Sequence, residues 1–449
     1  MFRAKKKQKI TFSERAILIG IALIPLIQLI PLPIEILSKL FPGRAFYADN
    51  ITQTLNQDDI SNRWHSIALI PSATELAWLA LLPPIAVFIS TRYMTSQQLK
   101  KLTYLFLGIA SFEAILGLIQ YGEGSENLFR LGNEYYRDSA VGTYVNRNHL
   151  AGLLEMVLPI VLSILIAVIK KNPNITSNKD RGSWHQLLLR WSNNQGNYFL
   201  LFFTIAIIIL LGTIFTRSRT GIMLVMLGLI LSFFVFIRKI DLKKLYGTAG
   251  FIIFSSLIFA FEIGLTPIFN RFAAIDENME KGRGLIYSGT LQAINEFFPL
   301  GSGAGSFAEV FQRFQPIDFT AGYVHRAHND YLEWILVGGL PAAILIVASL
   351  FVYGRRWIKV WRWEQESIFY FIQIGAGIGT LLLLFHTLVD FNLHIPANAI
   401  FFAFLLGVFF YPLEQQQIRS KKNKPTASLP YYPPKPKEIP KENLANPFD

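Results

Sequence analysis

Five charged or titratable side chains of this largely apolar chain could do chemistry: Arg217, Arg219, Arg283, His325 and His328. The first two fall in Thr216-Arg217-Ser218-Arg219-Thr220-Gly221, a short turn between two apolar runs. A guanidinium offers parallel N–H donors that fit phosphate or carboxylate oxygens. Two of them at a tight turn suit an anionic ligand, and equally suit snorkelling to lipid phosphates or pairing with a carboxylate from another loop. Arg283 lies in Lys281-Gly282-Arg283-Gly284, just before a run with Leu285, Leu291, Ile294 and Phe298 at helical spacing. That spacing predicts an amphipathic helix on the membrane surface, with Arg283 at its anion-attracting N-terminal end.

His325 and His328 occur in His325-Arg326-Ala327-His328-Asn329-Asp330-Tyr331. A neutral imidazole near pH 7 can take a proton from an attacking hydroxyl. The pair could instead hold a metal if Asp330 or another loop supplied a further ligand, although an isolated His-x-x-His is a poor zinc signature. A structural alternative has His328 capping a helix that begins near Asn329. Gly301-Ser302-Gly303-Ala304-Gly305 lacks the spacing of the nucleotide fingerprints, so it reads as a tight turn with no nucleotide. Glu113 and Glu155 lie inside apolar runs, where a carboxylate needs a partner. Arg147, Arg217 and Arg219 are the expected partners.

The elements that position these residues follow from composition. Hydrophobic residues make up 52% of the 449, with 38 Phe, which places the chain among all-α integral membrane proteins. A span needs roughly 20 apolar residues, and about ten segments qualify. They lie near 14–34, 67–91, 102–121, 149–169, 197–216, 220–237, 246–263, 333–353, 367–389 and 396–412. The first is too long and too rich in proline (Pro25, Pro31, Pro33) for a cleaved signal.

Lys and Arg cluster on alternate connections and in both termini, which predicts a multi-pass protein with both ends cytoplasmic. The expected order is a basic cytoplasmic N-terminus (1–13), seven membrane helices (14–264), a large periplasmic loop (265–332), three more helices (333–412) and a disordered cytoplasmic tail (413–449). The formal charge of +12 follows from a basic rim against anionic lipid heads and calls for no nucleic acid. With no cysteine, disulfides and thiolate metal sites are excluded.

Taken in order, the series resembles the O-antigen ligase and polymerase superfamily across roughly residues 140 to 410. It runs through Gly142-Thr143-Tyr144-Val145-Asn146-Arg147-Asn148-His149, Thr216 to Gly221, Gly282-Arg283, Pro299 to Gly303, His325 to Glu333 and Gly338-Gly339-Leu340-Pro341. The resemblance implies a bacterial inner-membrane glycosyltransferase of the GT-C type with its site in the periplasmic loop. It implies a polyprenyl-diphosphate-linked glycan as donor, a glycan, lipid or other hydroxyl as acceptor, inversion at the anomeric carbon, and no metal or other cofactor. Arg283 and one of Arg217 and Arg219 would hold the diphosphate, and His328 would serve the acceptor, with Arg147, Glu155, His325 and Asn329 in support. A ligase and a polymerase differ in acceptor alone. A small-anion or solute transporter is the reading from another class, but the paired broken helices expected of two repeat halves are not evident in the sequence.

Overall fold

The computed structural model describes residues 10–40, 64–123, 136–171, 194–236, 277–317, 322–363, 365 and 367–413. The helices, in chain order, are α1 (Phe12–Gln28), α2 (Ile34–Leu40), α3 (Pro71–Thr91), α4 (Ser96–Gly122), α5 (Arg147–Lys171), α6 (Asn194–Phe215) and α7 (Arg219–Phe236). They continue with α8 (Glu277–Phe297), α9 (Phe307–Phe314), α10 (Asp330–Trp361), α11 (Ile368–His386) and α12 (Pro396–Phe409), a 3-10 turn at Asn392–His394 lying before α12.

Among the described residues, seven helices (α3 to α7, α10 and α11) are long and apolar enough to cross a membrane. Helix α12 is a shorter apolar helix, and α1 has 17 residues. The chain is thus a mostly helical, multi-pass membrane protein. The span expected at 246–263 and the tail beyond Leu413 lie outside the described residues.

Helix α5 is the hub. It is apolar on every face and is buried from Arg147 to Ala167 apart from Asn148, as a helix without a polar stripe should be. It packs against α11, α6 and α7, while α12 packs on α3 and α11, and α10 on α1 and α8.

Two expectations about spans are corrected. The first helix ends at Gln28 rather than continuing to residue 34. Pro31 and Pro33 cannot donate helical hydrogen bonds, and Pro31–Pro33 pairs antiparallel with Trp64–Ser66 as β1 and β2, a two-stranded ribbon among the described helices. The run expected at 333–353 begins at Asp330, ends at Trp361 and is broken at Gly339 (φ 62°, ψ −151°).

The break is where the glycine stretch docks. Ser302 and Gly303 donate their N–H groups to the carbonyls of Leu336 and Val337, each at 3.0 Å, and Leu340 N–H donates to Pro299 O at 2.7 Å. Gln28 Nε2 adds bonds to Val337 O at 2.7 Å and Leu300 O at 3.1 Å. Non-helical backbone within a membrane protein persists where protein satisfies it. A Cβ on Gly301 would meet Val337 O at 2.5 Å, so glycine is what lets the two backbones touch. The expected tight turn is there, and it serves to seat α8 and α9 against α10.

Candidate functional site

Among the described residues, two non-glycine residues have positive φ: Arg217 at 56° and His328 at 50°. Such backbone costs of order 1–3 kcal/mol and persists where surrounding structure over-determines it. Both are residues that the sequence singles out for chemistry.

His328 stands two residues before α10, which begins at Asp330. The cap is Asn329, whose side chain accepts Leu332 N–H at 3.1 Å, so the capping role considered for His328 is filled by its neighbour. Tyr287 of α8 donates its hydroxyl to His328 O at 2.9 Å. The imidazole meets the edge of Phe391 with ring centroids 5.0 Å apart. Its Nδ1 lies 3.5 Å from Asp390 Oδ1, and its side chain keeps 32% exposure against 1% for Asp390.

Asp390 organises the floor of the site from the short connection between α11 and α12. Its Oδ2 accepts Asn148 Nδ2 at 2.7 Å, and its Oδ1 accepts Phe391 N–H at 2.9 Å. The same Oδ1 lies 3.8 Å from His149 Nε2. Burial alone would raise its pKa, but the imidazoles of His149 and His328 and the charge of His386 outweigh burial and hold the carboxyl well below the usual range. A carboxylate facing Nδ1 favours the tautomer with the proton there, which leaves Nε2 of His328 as a proton acceptor.

Arg283 sits in the second turn of α8, because the helix starts at Glu277 rather than beside Arg283. It is one helical turn before Tyr287, on the same face, and its charge opposes the rise that burial imposes on the Tyr287 hydroxyl. Tyr287 therefore links the Arg283 face of α8 to the backbone of His328.

Arg147 and Arg217 converge on one short segment. Arg217 binds the Asp138 carboxylate and donates to Asp138 O at 2.9 Å. Arg147, the first residue of α5, reaches Ser139 Oγ at 3.4 Å and lies over the Tyr136 ring, 5.0 Å from its centroid. The next two residues of α5, Asn148 and His149, face Asp390. Arg219 opens α7.

The expected carboxylate pairings are corrected. Glu155 lies eight residues into α5, about 12 Å along the axis, too deep for arginines at helix ends. It meets His386 instead, with Nδ1 3.0 Å from both carboxylate oxygens. Glu113 accepts Thr143 N–H and Oγ1, each at 2.8 Å. His325 turns to Tyr323, with ring centroids 4.6 Å apart, while His328 packs on Phe391, so the two imidazoles have separate surroundings. Among the described residues, no group of three or more His, Cys, Asp or Glu is arranged to hold a metal ion.

Sequence reasoning gave no role to Asp390, Asn148, His149, Tyr287 or His386. A signal for Asp390 was present: histidines stand four residues to each side of it, at His386 and His394, in an otherwise apolar stretch.

No curated protein gives a match to the chain. Residues 204–347 match the family model described as O-Antigen ligase, a stretch that contains Arg217, Arg219, Arg283, the glycine turn and His328 but not Asp390. By that match the chain carries a domain of the O-antigen ligase and polymerase superfamily.

Proposed function

We propose that the protein transfers a glycan from a polyprenyl diphosphate to an acceptor hydroxyl at the periplasmic face of the bacterial inner membrane. The observation that carries this reading is the His328–Asp390 pair, with Nδ1 and Oδ1 3.5 Å apart within a superfamily that uses lipid-linked glycans. Catalytic contacts often tighten only when substrate binds. In the proposed step the acceptor oxygen attacks the anomeric carbon while His328 Nε2 takes its proton. The bond from that carbon to the diphosphate oxygen breaks, and its electron pair leaves with the lipid diphosphate. Attack opposite the leaving group inverts the carbon. Asp390 stabilises the imidazolium as it forms, and Arg283 with Arg217 or Arg219 stabilises charge gathering on the diphosphate. Arginines and a histidine are sufficient for this step without a metal.

Within the superfamily we favour a ligase, whose acceptor is a different lipid or carrier; a polymerase would use the same residues on a second lipid-linked repeat. His328→Ala should slow transfer by roughly 10²–10⁴-fold, the usual loss for a general base, with donor binding retained. A stably expressed His328→Asn protein with normal turnover would overturn the base assignment.

A further inference from the structure

His328 and Asp390 stand on two different loops, and their facing distance is set by whatever joins those loops. The join is a cluster of four charged side chains. Glu333 Oε2 accepts Ala327 N–H at 3.0 Å, gripping the backbone one residue before His328. Its Oε1 accepts Arg326 NH1 at 2.7 Å and lies 3.2 Å from His394 Nε2. Asp330, one turn earlier on the same face of α10, accepts Leu393 N–H on Oδ2 at 3.0 Å and meets His394 Nδ1 with Oδ1 at 2.7 Å. The Asp330 N–H itself donates to Thr387 O at 2.9 Å. The His394 ring thus bridges both carboxylates, one with each nitrogen, two residues beyond Asn392 and four beyond Asp390.

We propose that His394, bridging Asp330 and Glu333, is a positioning residue that sets the separation of His328 and Asp390; this rests on the function proposed above. Both carboxylates are buried, Asp330 at 0% and Glu333 at 1% exposure, so each needs a cationic partner. A neutral imidazole has one N–H donor and one acceptor, and its acceptor nitrogen would face a carboxylate. Only the doubly protonated ring satisfies both ends. Burial would lower the His394 pKa, but the Glu333 charge and the bonds to Asp330 and Glu333 raise it to about 10. Arg326, Asp330 and Glu333 are the charged groups facing it, from the loop before α10 and from α10 itself, and two cations balance two anions. None of the four is placed to touch the reacting atoms, and the cluster acts on the reaction through His328.

The test is a double-mutant cycle on full-length protein, scored per folded molecule. His394→Ala should slow turnover about 10²-fold at an unchanged donor KM, the loss expected of a displacement of about 1 Å. In an Asp390→Asn background, the same change should cost less than about threefold, because residues acting as one unit are not additive. Equal losses in both backgrounds, or no loss in either, would overturn the proposal and leave the cluster a general support of the fold. Should His394→Ala not fold, His394→Gln, which keeps two N–H donors on one nitrogen, takes its place. A second readout needs no turnover and so separates failure of this proposal from failure of the proposed reaction. In 15N-histidine spectra, the Nδ1 proton of His328, assigned by its loss in His328→Gln, should be protected in the wild type and lost in His394→Gln. Its persistence there would overturn the positioning role even if the wild type transfers glycan normally.

Discussion

Replacing Asp390 with asparagine keeps size and shape and removes the charge beside His328. At the 3.5 Å separation, a full imidazolium and carboxylate attract by about 5 kcal/mol at an effective dielectric of about 20. Solvent reaches the His328 side, so about half survives screening, and 2–3 kcal/mol corresponds to roughly 10²-fold in rate. The imidazolium forms only as the acceptor proton moves, so the loss should fall on kcat and leave donor KM near normal. Stability should fall as well. Oδ1 accepts Phe391 N–H and Oδ2 accepts Asn148 Nδ2, so either orientation of an asparagine amide puts an NH2 against a donor. That mismatch should cost about 1–3 kcal/mol. The assay is steady-state transfer from a lipid-linked glycan by purified wild type and Asp390→Asn, with thermal unfolding followed in parallel. Asp390→Asn turnover within threefold of wild type, from folded protein, would refute the pairing as a catalytic one.

Arg283→Lys should lose most activity although the charge stays, because an ammonium cannot reproduce a bidentate fit to diphosphate; steady-state kinetics decide it, and near-normal turnover would demote Arg283 to a lipid anchor. Arg217→Ala and Arg219→Ala should differ in donor binding, Arg217 carrying the constrained backbone at φ 56°. A reporter fused after Ala321 should read periplasmic and one after Arg419 cytoplasmic, as the distribution of basic residues requires. For His394, whose pKa rises from 6.5 to about 10 on folding, the stabilisation is complete below about pH 6.5 and is lost as pH climbs to about 10. Wild-type thermal midpoints should therefore decline across that window, and those of His394→Gln should decline less.

Arg217 was legible because a charged residue at a turn between two apolar runs is costly, and Arg283 and His328 because they stand in the long polar interval of an otherwise apolar chain. Seven of the ten expected spans were legible from their apolar runs. Depth was not. Glu155 and the arginines looked like partners because both broke apolar runs, yet eight residues of helix separate Glu155 from Arg147, and His386 meets it from α11. Asp390 stands one residue past the span expected at 367–389 and drew no role, since nothing in one dimension says that the connection after α11 folds back onto His328 and Asn148. The break in α10 was hidden too. Gly338-Gly339-Leu340-Pro341 sits inside an unbroken hydropathy signal, and only the docked backbone of Pro299 to Gly303 makes a non-helical Gly339 tolerable.

The central claim, that a lipid diphosphate gives up its glycan here to a hydroxyl, is tested most directly with purified protein and a radiolabelled polyprenyl-diphosphate glycan. Label should move from the lipid to an acceptor in wild type, with an inverted anomeric linkage in the product, and should stay on the lipid in His328→Ala. Label that stays on the lipid with the wild type, or that crosses the bilayer unchanged, would contradict the account and favour a transporter.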